Sequence, residues 1–337
     1  MKLSCYPYTI QLKHKFTLSV HSRTETPAVM AEIEHNGLIG FGESSLPPYL
    51  EENQQSVNNF LEKVDLGKYS DPLRIDSILN DIDEIEEKNY AAKAAIDIAL
   101  HDLLGKIKNT PLYRLLNIEK RGDLYSSYTI GISDERSLQN KIEEASEFKY
   151  LKVKLGSKYD KQIIKMVTSL TDKPLYVDVN QGWEDKNFAL DMIAFLKEHN
   201  VILVEQPFHK ENLSDTAWLT ERSPLPVIAD EAVQCFNDLE KIKDIYSGVN
   251  IKLMKAGGIS KAHQMILKAK KINLKVMIGC MTETSCAIAA ASNLTPLADW
   301  IDLDGAELIS NDLFRGMMFL QGKLMIPEGP GLGLKKL

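Results

Sequence analysis

No stretch of the 337 residues approaches the roughly 20 consecutive apolar positions that a bilayer-spanning helix needs, so no membrane association of that kind is expected. A dense basic block is also missing. The chain sets 40 Lys+Arg against 47 Asp+Glu, a formal net charge of −7, whereas nucleic-acid binding relies on clustered cations that displace counterions from phosphates. Nucleic acid is therefore not an expected partner. The four cysteines, at positions 5, 235, 280 and 286, form no Cys-x-x-Cys pair and are too sparse for a disulfide framework or a thiolate zinc site. Reduced thiols are expected. The opening Met1-Lys2-Leu3-Ser4-Cys5-Tyr6-Pro7 runs into Lys13 and Lys15 without a continuous apolar core, unlike a secretory signal, which makes a cytoplasmic protein the expectation.

What is present is the composition of a globular protein, 44% hydrophobic and 26% charged, long enough for a large domain plus a smaller one. Apolar, β-branched runs at 124–132, 150–155, 175–180, 201–206, 227–230, 249–253, 275–279 and 300–304 alternate with helical stripes such as Leu138/Ile142/Ala145, Ile163/Val167/Leu170, Leu239/Ile242/Ile245 and Ala262/Ile266/Ala269. Eight strand-helix units predict an α/β fold built on a TIM-type barrel. A doubly wound sheet is the rival, but it would hold fewer strands and often opens on a Gly-rich phosphate turn, absent at Ile130-Gly131-Ile132. Residues 1–120 read as a separate α+β capping domain, with alternation over 28–34, a hairpin turn at Asn36-Gly37, and an amphipathic helix marked by Ile96, Leu100, Leu104 and Ile107. The barrel is expected over 121–320. A tail over 321–337, containing Pro327-Glu328-Gly329-Pro330-Gly331-Leu332-Gly333-Leu334, is expected to return to the capping domain.

In a TIM barrel, residues at the C-terminal ends of different strands converge on one face. Thr129, Lys154, Asp178, Glu205, Asp230, Lys252, Gly279 and Asp302 follow one another at intervals of 25, 24, 27, 25, 22, 27 and 23 residues, the length of one strand-helix unit. Three consecutive units thus supply the carboxylates Asp178, Glu205 and Asp230. Each follows a hydrophobic run, and three like charges in a desolvated place require a cation. Hard oxygen ligands with room for water or substrate suit Mg²⁺. Any one of these residues could instead cap the next helix, but caps come later in the loop, and three in succession at one depth are poorly explained that way.

Period-two alternation puts Lys152 and Lys154 on one strand face and Val153 on the other. Lys252 lies four strands away, so Lys154 and Lys252 are expected to face each other across the barrel mouth. A lysine near Mg²⁺ and other cations has a lowered pKa and can act as a general base near neutrality. Lys255 reads as a surface charge or an ion-pair partner. A dry salt-bridge cluster is the competing reading, disfavoured by the cost of burying that many ions without a ligand.

The helix over 94–104, Lys152-Val153-Lys154, the Asp178/Glu205/Asp230 set, Ile251-Lys252-Leu253-Met254-Lys255-Ala256-Gly257-Gly258 and Pro330-Gly331-Leu332-Gly333 together resemble the enolase superfamily, specifically its muconate-lactonizing-enzyme branch. The resemblance implies a capping domain over a modified barrel, an essential Mg²⁺, and abstraction of a proton α to a carboxylate, the ene-diolate being stabilised by the metal. Strand 8 ends Asp302-Leu303-Asp304-Gly305, and in this it is most similar to dipeptide epimerases, where such a pair binds the substrate's free α-ammonium. Capping the next helix, or facing solvent, is the plainer alternative for that pair. A histidine base after strand 7, as in the mandelate-racemase branch, is lacking at Gly279-Cys280-Met281-Thr282-Glu283.

The implied reaction is a 1,1-proton transfer at the α-carbon of the second residue of an L-Ala-Xaa-type dipeptide. Lys154 and Lys252 serve as acid and base, Lys152 adds positive charge beside the substrate carboxylate, Asn180 and Glu231 stand behind the ligands, and Thr129 is a further substrate contact. By the same resemblance His21 stands where enzymes acting on Ala-Glu place an arginine, so a hydrophobic Xaa is expected. Arg23 lies two residues on, and Tyr49, Glu51 and Met281 are alternative specificity residues. The alternatives to a dipeptide epimerase are an o-succinylbenzoate synthase, N-acylamino-acid racemase or cycloisomerase of the same branch, and, outside catalysis, a metal-binding barrel. Gly257-Gly258 before a helix also fits a phosphate site, though such sites usually follow strands 7 and 8, and the pair reads as a turn. Homo-oligomerisation is left open.

Overall fold

Asn36 and Gly37 both take positive φ, 50° and 81°, and the turn they make joins β2 (Ser22–His35) to β3 (Leu38–Ser45) in an antiparallel hairpin. β1 (Lys2–Thr17) pairs along the other edge of β2. In this computed structural model the described residues are 1–17, 22–131 and 135–337. The sheet is followed by α1 (Gln54–Leu61), α2 (Ile75–Asp83) and α3 (Tyr90–Ile107).

The helix expected to be amphipathic is not. From Ala91 to Gly105 every residue of α3 is buried, because the helix has the three-stranded sheet on one side and the barrel helix Ile259–Lys271 on another. Alanines supply the face that the Ile/Leu stripe did not reveal. The sheet comes close enough that a Cβ on Gly42 would lie 1.8 Å from the Ala95 carbonyl oxygen, so only glycine fits there. The buried carboxylates of α3 tie neighbouring segments to it. Asp97 accepts from the backbone amides of Ile259 (2.6 Å) and Ser260 (3.2 Å), capping the helix Ile259–Lys271. That cap occupies the place a phosphate would take beside Gly257-Gly258, whose φ values of 91° and 113° make it a glycine turn. Asp102 accepts from Phe41 N and, on its other oxygen, from Leu332 N, each at 2.9 Å. Gly331 forms a bridge with Pro111, which brings the C-terminal tail against the end of α3.

The second sheet has eight parallel strands: β4 (Ser127–Ile130), β5 (Tyr150–Lys154), β6 (Leu175–Asp178), β7 (Val201–Glu205), β8 (Val227–Ala229), β9 (Gly248–Lys252), β10 (Lys275–Gly279) and β11 (Trp300–Asp302), paired in sequence order. The ring is nearly closed. Between its end strands, side chains replace the ladder: the Ser127 hydroxyl donates to Asp302 Oδ1 at 2.7 Å, and Leu303 N donates to the Ser126 hydroxyl at 2.8 Å. Most strands end earlier than their apolar runs predict. Asn180 and Gln181 turn the chain with φ of 47° and 66°, and Asp230 N bonds the Gln206 side chain rather than a neighbouring strand. Ile132, at the end of the first expected strand, lies outside the described residues.

Alternation sorts the barrel residues. Leu151, Val153, Val177, Val204, Val249 and Ile278 belong to the main core shared with the outer helices, while Tyr176, Leu203, Ile228 and Met277 form a separate buried cluster inside the ring. Two residues further along the strands, the interior becomes ionic. Among the described residues no helix is long and apolar enough to cross a membrane. The four cysteines are free, Cys280 and Cys286 buried.

Candidate active site

Each of β6 and β7 ends on the carboxylate that alternation turns inward, and Asp230 follows β8 directly. The register pairs Lys154 with Asp178 and Asp178 with Glu205, which sets the groups side by side at one level. Asp178, Glu205 and Asp230 each offer an oxygen, all within 4.8 Å of one another, and all three are buried. The lysines close around them. Lys152 Nζ is 2.7 Å from Asp302, 2.7 Å from Glu205 and 3.1 Å from Asp178. Lys154 Nζ is 2.7 Å from Asp178, and Lys252 Nζ is 2.8 Å from Asp230. Lys152 thus stands among the carboxylates at the ends of β6, β7 and β11 and so adds its charge there.

Lys255 takes the second of its two expected roles, that of an ion-pair partner. It is buried, with Nζ 2.6 Å from Asp230 Oδ1 and from the Asp230 carbonyl oxygen, because β9 runs straight into the helical turn Leu253–Ala256 and the chain doubles back under Asp230. Asn250, two residues before Lys252 on the same face, donates to Glu205 Oε1 at 2.8 Å. Strand alternation would have marked it.

The charges respond to this crowding. Burial pushes Glu205 up to about 8, helped by Asp178 and Asp230. Burial also raises Asp178, but Lys154 and Lys152 outweigh it and hold that carboxyl down at about 2. Burial pulls Lys252 down, but Asp230, Tyr49 and Glu205 win and hold it well above the ordinary lysine value. The three carboxylates are thus not self-sufficient: Glu205 Oε2 is buried without a hydrogen-bond partner, Lys152 being near it but out of line. An all-oxygen set with an unsatisfied lone pair fits a hard divalent cation.

A cavity of about 240 Å³ opens above these groups, lined by Lys152, Lys154, Asp230, Lys252, Asp302, Asp304 and Thr129. Asp302 is held by Lys152 and Ser127. Asp304 accepts from the Thr129 backbone amide and is pushed up to about 7 by burial and by Asp302. Thr129 therefore orients Asp304 as well as lining the cavity. Asn180 donates to Glu231 at 3.2 Å, and both line the cavity. His21 lies outside the described residues. Arg23 lies in the wall, its Nη2 2.9 Å from the Thr282 hydroxyl and its guanidinium 6.0 Å from the centre of the Tyr49 ring. Tyr49 in turn donates to the Met281 sulfur at 2.9 Å. Glu51 faces an adjoining cavity and is paired with Lys88.

Comparison with known proteins places this geometry. Residues 136–335 match the enolase C-terminal domain-like family, and residues 5–117 match the N-terminal domain of the mandelate racemase / muconate lactonizing enzyme family. The chain is 48% identical to the L-Ala-D/L-Glu epimerase of Bacteroides thetaiotaomicron, over 100% of this chain and 88% of that one. It is 32% identical to the hydrophobic dipeptide epimerase of a Flavobacteria bacterium, over 99% and 97%. The structure is similar to that of a dipeptide epimerase from Enterococcus faecalis in complex with Mg and L-Leu-L-Tyr, with a TM-score of 0.90, 29% identity and 98% of both chains covered. With both of its halves matched and its strand-end carboxylates gathered at the barrel mouth, the chain belongs to the mandelate racemase / muconate lactonizing enzyme family of the enolase superfamily.

Proposed function

We propose that the protein is a Mg²⁺-dependent dipeptide epimerase that inverts the α-carbon of the second residue. The observation that carries this reading is the single cavity in which two lysines on well-separated strands, Lys154 and Lys252, share a wall with the carboxylate pair Asp302 and Asp304. Asp178, Glu205 and Asp230 would hold the cation. Bound there, it would offset the carboxylates, among them Asp230 and Glu205, that hold Lys252 well above the ordinary lysine value, and would supply Lewis-acid stabilisation of negative charge developing on the substrate. One lysine, as the neutral amine, takes the proton onto Nζ. The other, as the ammonium, returns one to the opposite face. Asp304, with Asp302 beside it, accepts hydrogen bonds from the substrate's ammonium, a group that the anionic substrates of lactonizing and dehydrating relatives lack. Lys152 balances the charge between Asp302 and the ligands.

For the second residue, Arg23 supports an acidic side chain, since a guanidinium can grip a carboxylate in a bidentate pair; the B. thetaiotaomicron relative carries a name of that kind. The hydrophobic expectation rests on His21. Leu308, Met281 and Cys280 in the wall favour it as the second reading. The proposal includes a cytoplasmic location, which suits the buried free thiols, and a division into capping domain 1–120, barrel 121–320 and tail 321–337, supported by the Asp102–Leu332 bond.

The test is incubation with L-Ala-L-Glu, L-Ala-L-Val and L-Ala-L-Phe in D₂O with Mg²⁺. Epimerisation with deuterium at the second α-carbon is expected, fastest with L-Ala-L-Glu. No exchange with any dipeptide would contradict the epimerase reading, and a preference for L-Ala-L-Val or L-Ala-L-Phe would contradict the acidic one.

A further inference from the structure

The segment after β10, residues 280–284, forms part of the cavity wall and leads into the helix Ser285–Ser292. Four capping-domain side chains hold it. Arg23 bonds the Thr282 hydroxyl, Ser45 donates to the Thr282 carbonyl oxygen at 2.6 Å, and Tyr49 donates to the Met281 sulfur. The fourth is Glu43, wholly buried on β3 and not itself part of the cavity lining. Its carboxyl group accepts from the backbone amides of Thr284 (2.9 Å) and Ala287 (3.3 Å) and from the Thr284 hydroxyl. An acidic side chain from one domain thereby caps a helix of the other, and the cap sits two residues from Thr282.

We propose that Glu43 is a positioning residue for substrate selection: by fixing the start of the helix Ser285–Ser292 it sets Thr282 beneath Arg23, and so sets how the second residue of the dipeptide is gripped, without touching substrate. Ser45 and Glu43 lie two apart on β3 and so share one face of the strand, which makes this face of the capping domain the template for the wall. The inference rests on the reading that Arg23 receives an acidic second residue.

The test is steady-state kinetics of Glu43→Ala and Glu43→Gln with L-Ala-L-Glu and L-Ala-L-Val at saturating Mg²⁺. Glu43→Ala is expected to raise KM for L-Ala-L-Glu about tenfold while kcat changes less than about threefold, with KM for L-Ala-L-Val nearly unchanged. Glu43→Gln keeps an oxygen for the two amides and should restore most of the loss. A proportional fall of kcat on both dipeptides, with the ratio of KM values unchanged, would show a merely structural role and overturn the proposal. If Glu43→Ala does not fold, Thr284→Val, which removes one of the bonds to Glu43, must shift the same KM ratio in the same direction. A wild-type ratio there would also overturn it. The underlying reading fails separately, if wild-type protein exchanges the α-proton of no dipeptide. The positioning claim is then decided by crystals of Glu43→Ala: an intact Arg23–Thr282 bond at its wild-type length refutes it, and a broken one upholds it.

Discussion

The barrel interior has two ends built on the same strands, and two residues separate them. At one end Tyr176, Leu203, Ile228 and Met277 pack together, with Tyr150 stacked on Tyr176 at 5.3 Å between ring centres. At the other end, Asp178, Glu205 and Asp230 follow Tyr176, Leu203 and Ile228 by two positions and sit among Lys152, Lys154 and Lys252. Both ends are buried. The first gains stability from each buried side chain, roughly 1.5–3 kcal/mol for a leucine-sized group. The second bears a desolvation cost for each ion, offset only while every partner stays in place. A strand that reads as continuous core therefore changes purpose within one pleat, and the ionic end is stable only as a set.

That contrast is sharpened most by attacking the ionic end. Lys154→Ala and Lys252→Ala are each expected to lower the epimerisation rate by about 10²–10⁴-fold, the usual worth of a positioned acid or base, while circular dichroism shows a folded protein. Near-normal epimerisation in either variant would break the two-lysine account. Chelation should abolish turnover, added Mg²⁺ should restore it, and thermal denaturation should show a midpoint that rises with Mg²⁺ concentration by mass action. A midpoint indifferent to Mg²⁺ would count against the carboxylate trio as its site.

At the apolar end the expectation inverts. Leu203→Ala should cost about 2–5 kcal/mol in denaturant unfolding and leave kcat of the folded enzyme nearly unchanged; a large loss of kcat without loss of stability would erase the distinction between the two ends. The smallest effect is expected at the rim of the ionic end. Asp304→Asn removes a charged acceptor worth about 1.5–3 kcal/mol and should raise KM for dipeptides with a free N-terminus at least tenfold relative to N-acetylated ones, as measured by competing the two substrates. Equal effects on both would remove the ammonium-binding role.

The ionic end was legible in sequence because two regularities coincide there, the period-two alternation of a strand and the repeating length of a strand-helix unit. Together they marked Asp178, Glu205, Asp230, Lys154 and Lys252 at once. The eight strands were legible for the same reason. Their ends were not, since side chains such as Gln206 take over the backbone amides. Lys255 is the ion-pair partner that the sequence offered as one of two readings, but its burial was not legible, because nothing local announces that β9 passes directly into a helical turn. The all-round burial of α3 was hidden in its alanines, which can face solvent or a neighbour equally well. The grip of Arg23 on Thr282 joins residues 259 positions apart, and no periodicity reaches across two domains.

The central claim is that Lys154 and Lys252 act on opposite faces of one α-carbon. Its most direct test is solvent deuterium exchange of each single variant with the separate L,L and L,D dipeptides. Lys154→Ala and Lys252→Ala should each exchange the α-proton of one diastereomer only, and the two variants should choose opposite ones. Exchange of the same diastereomer by both, or of both diastereomers by either variant, would contradict it.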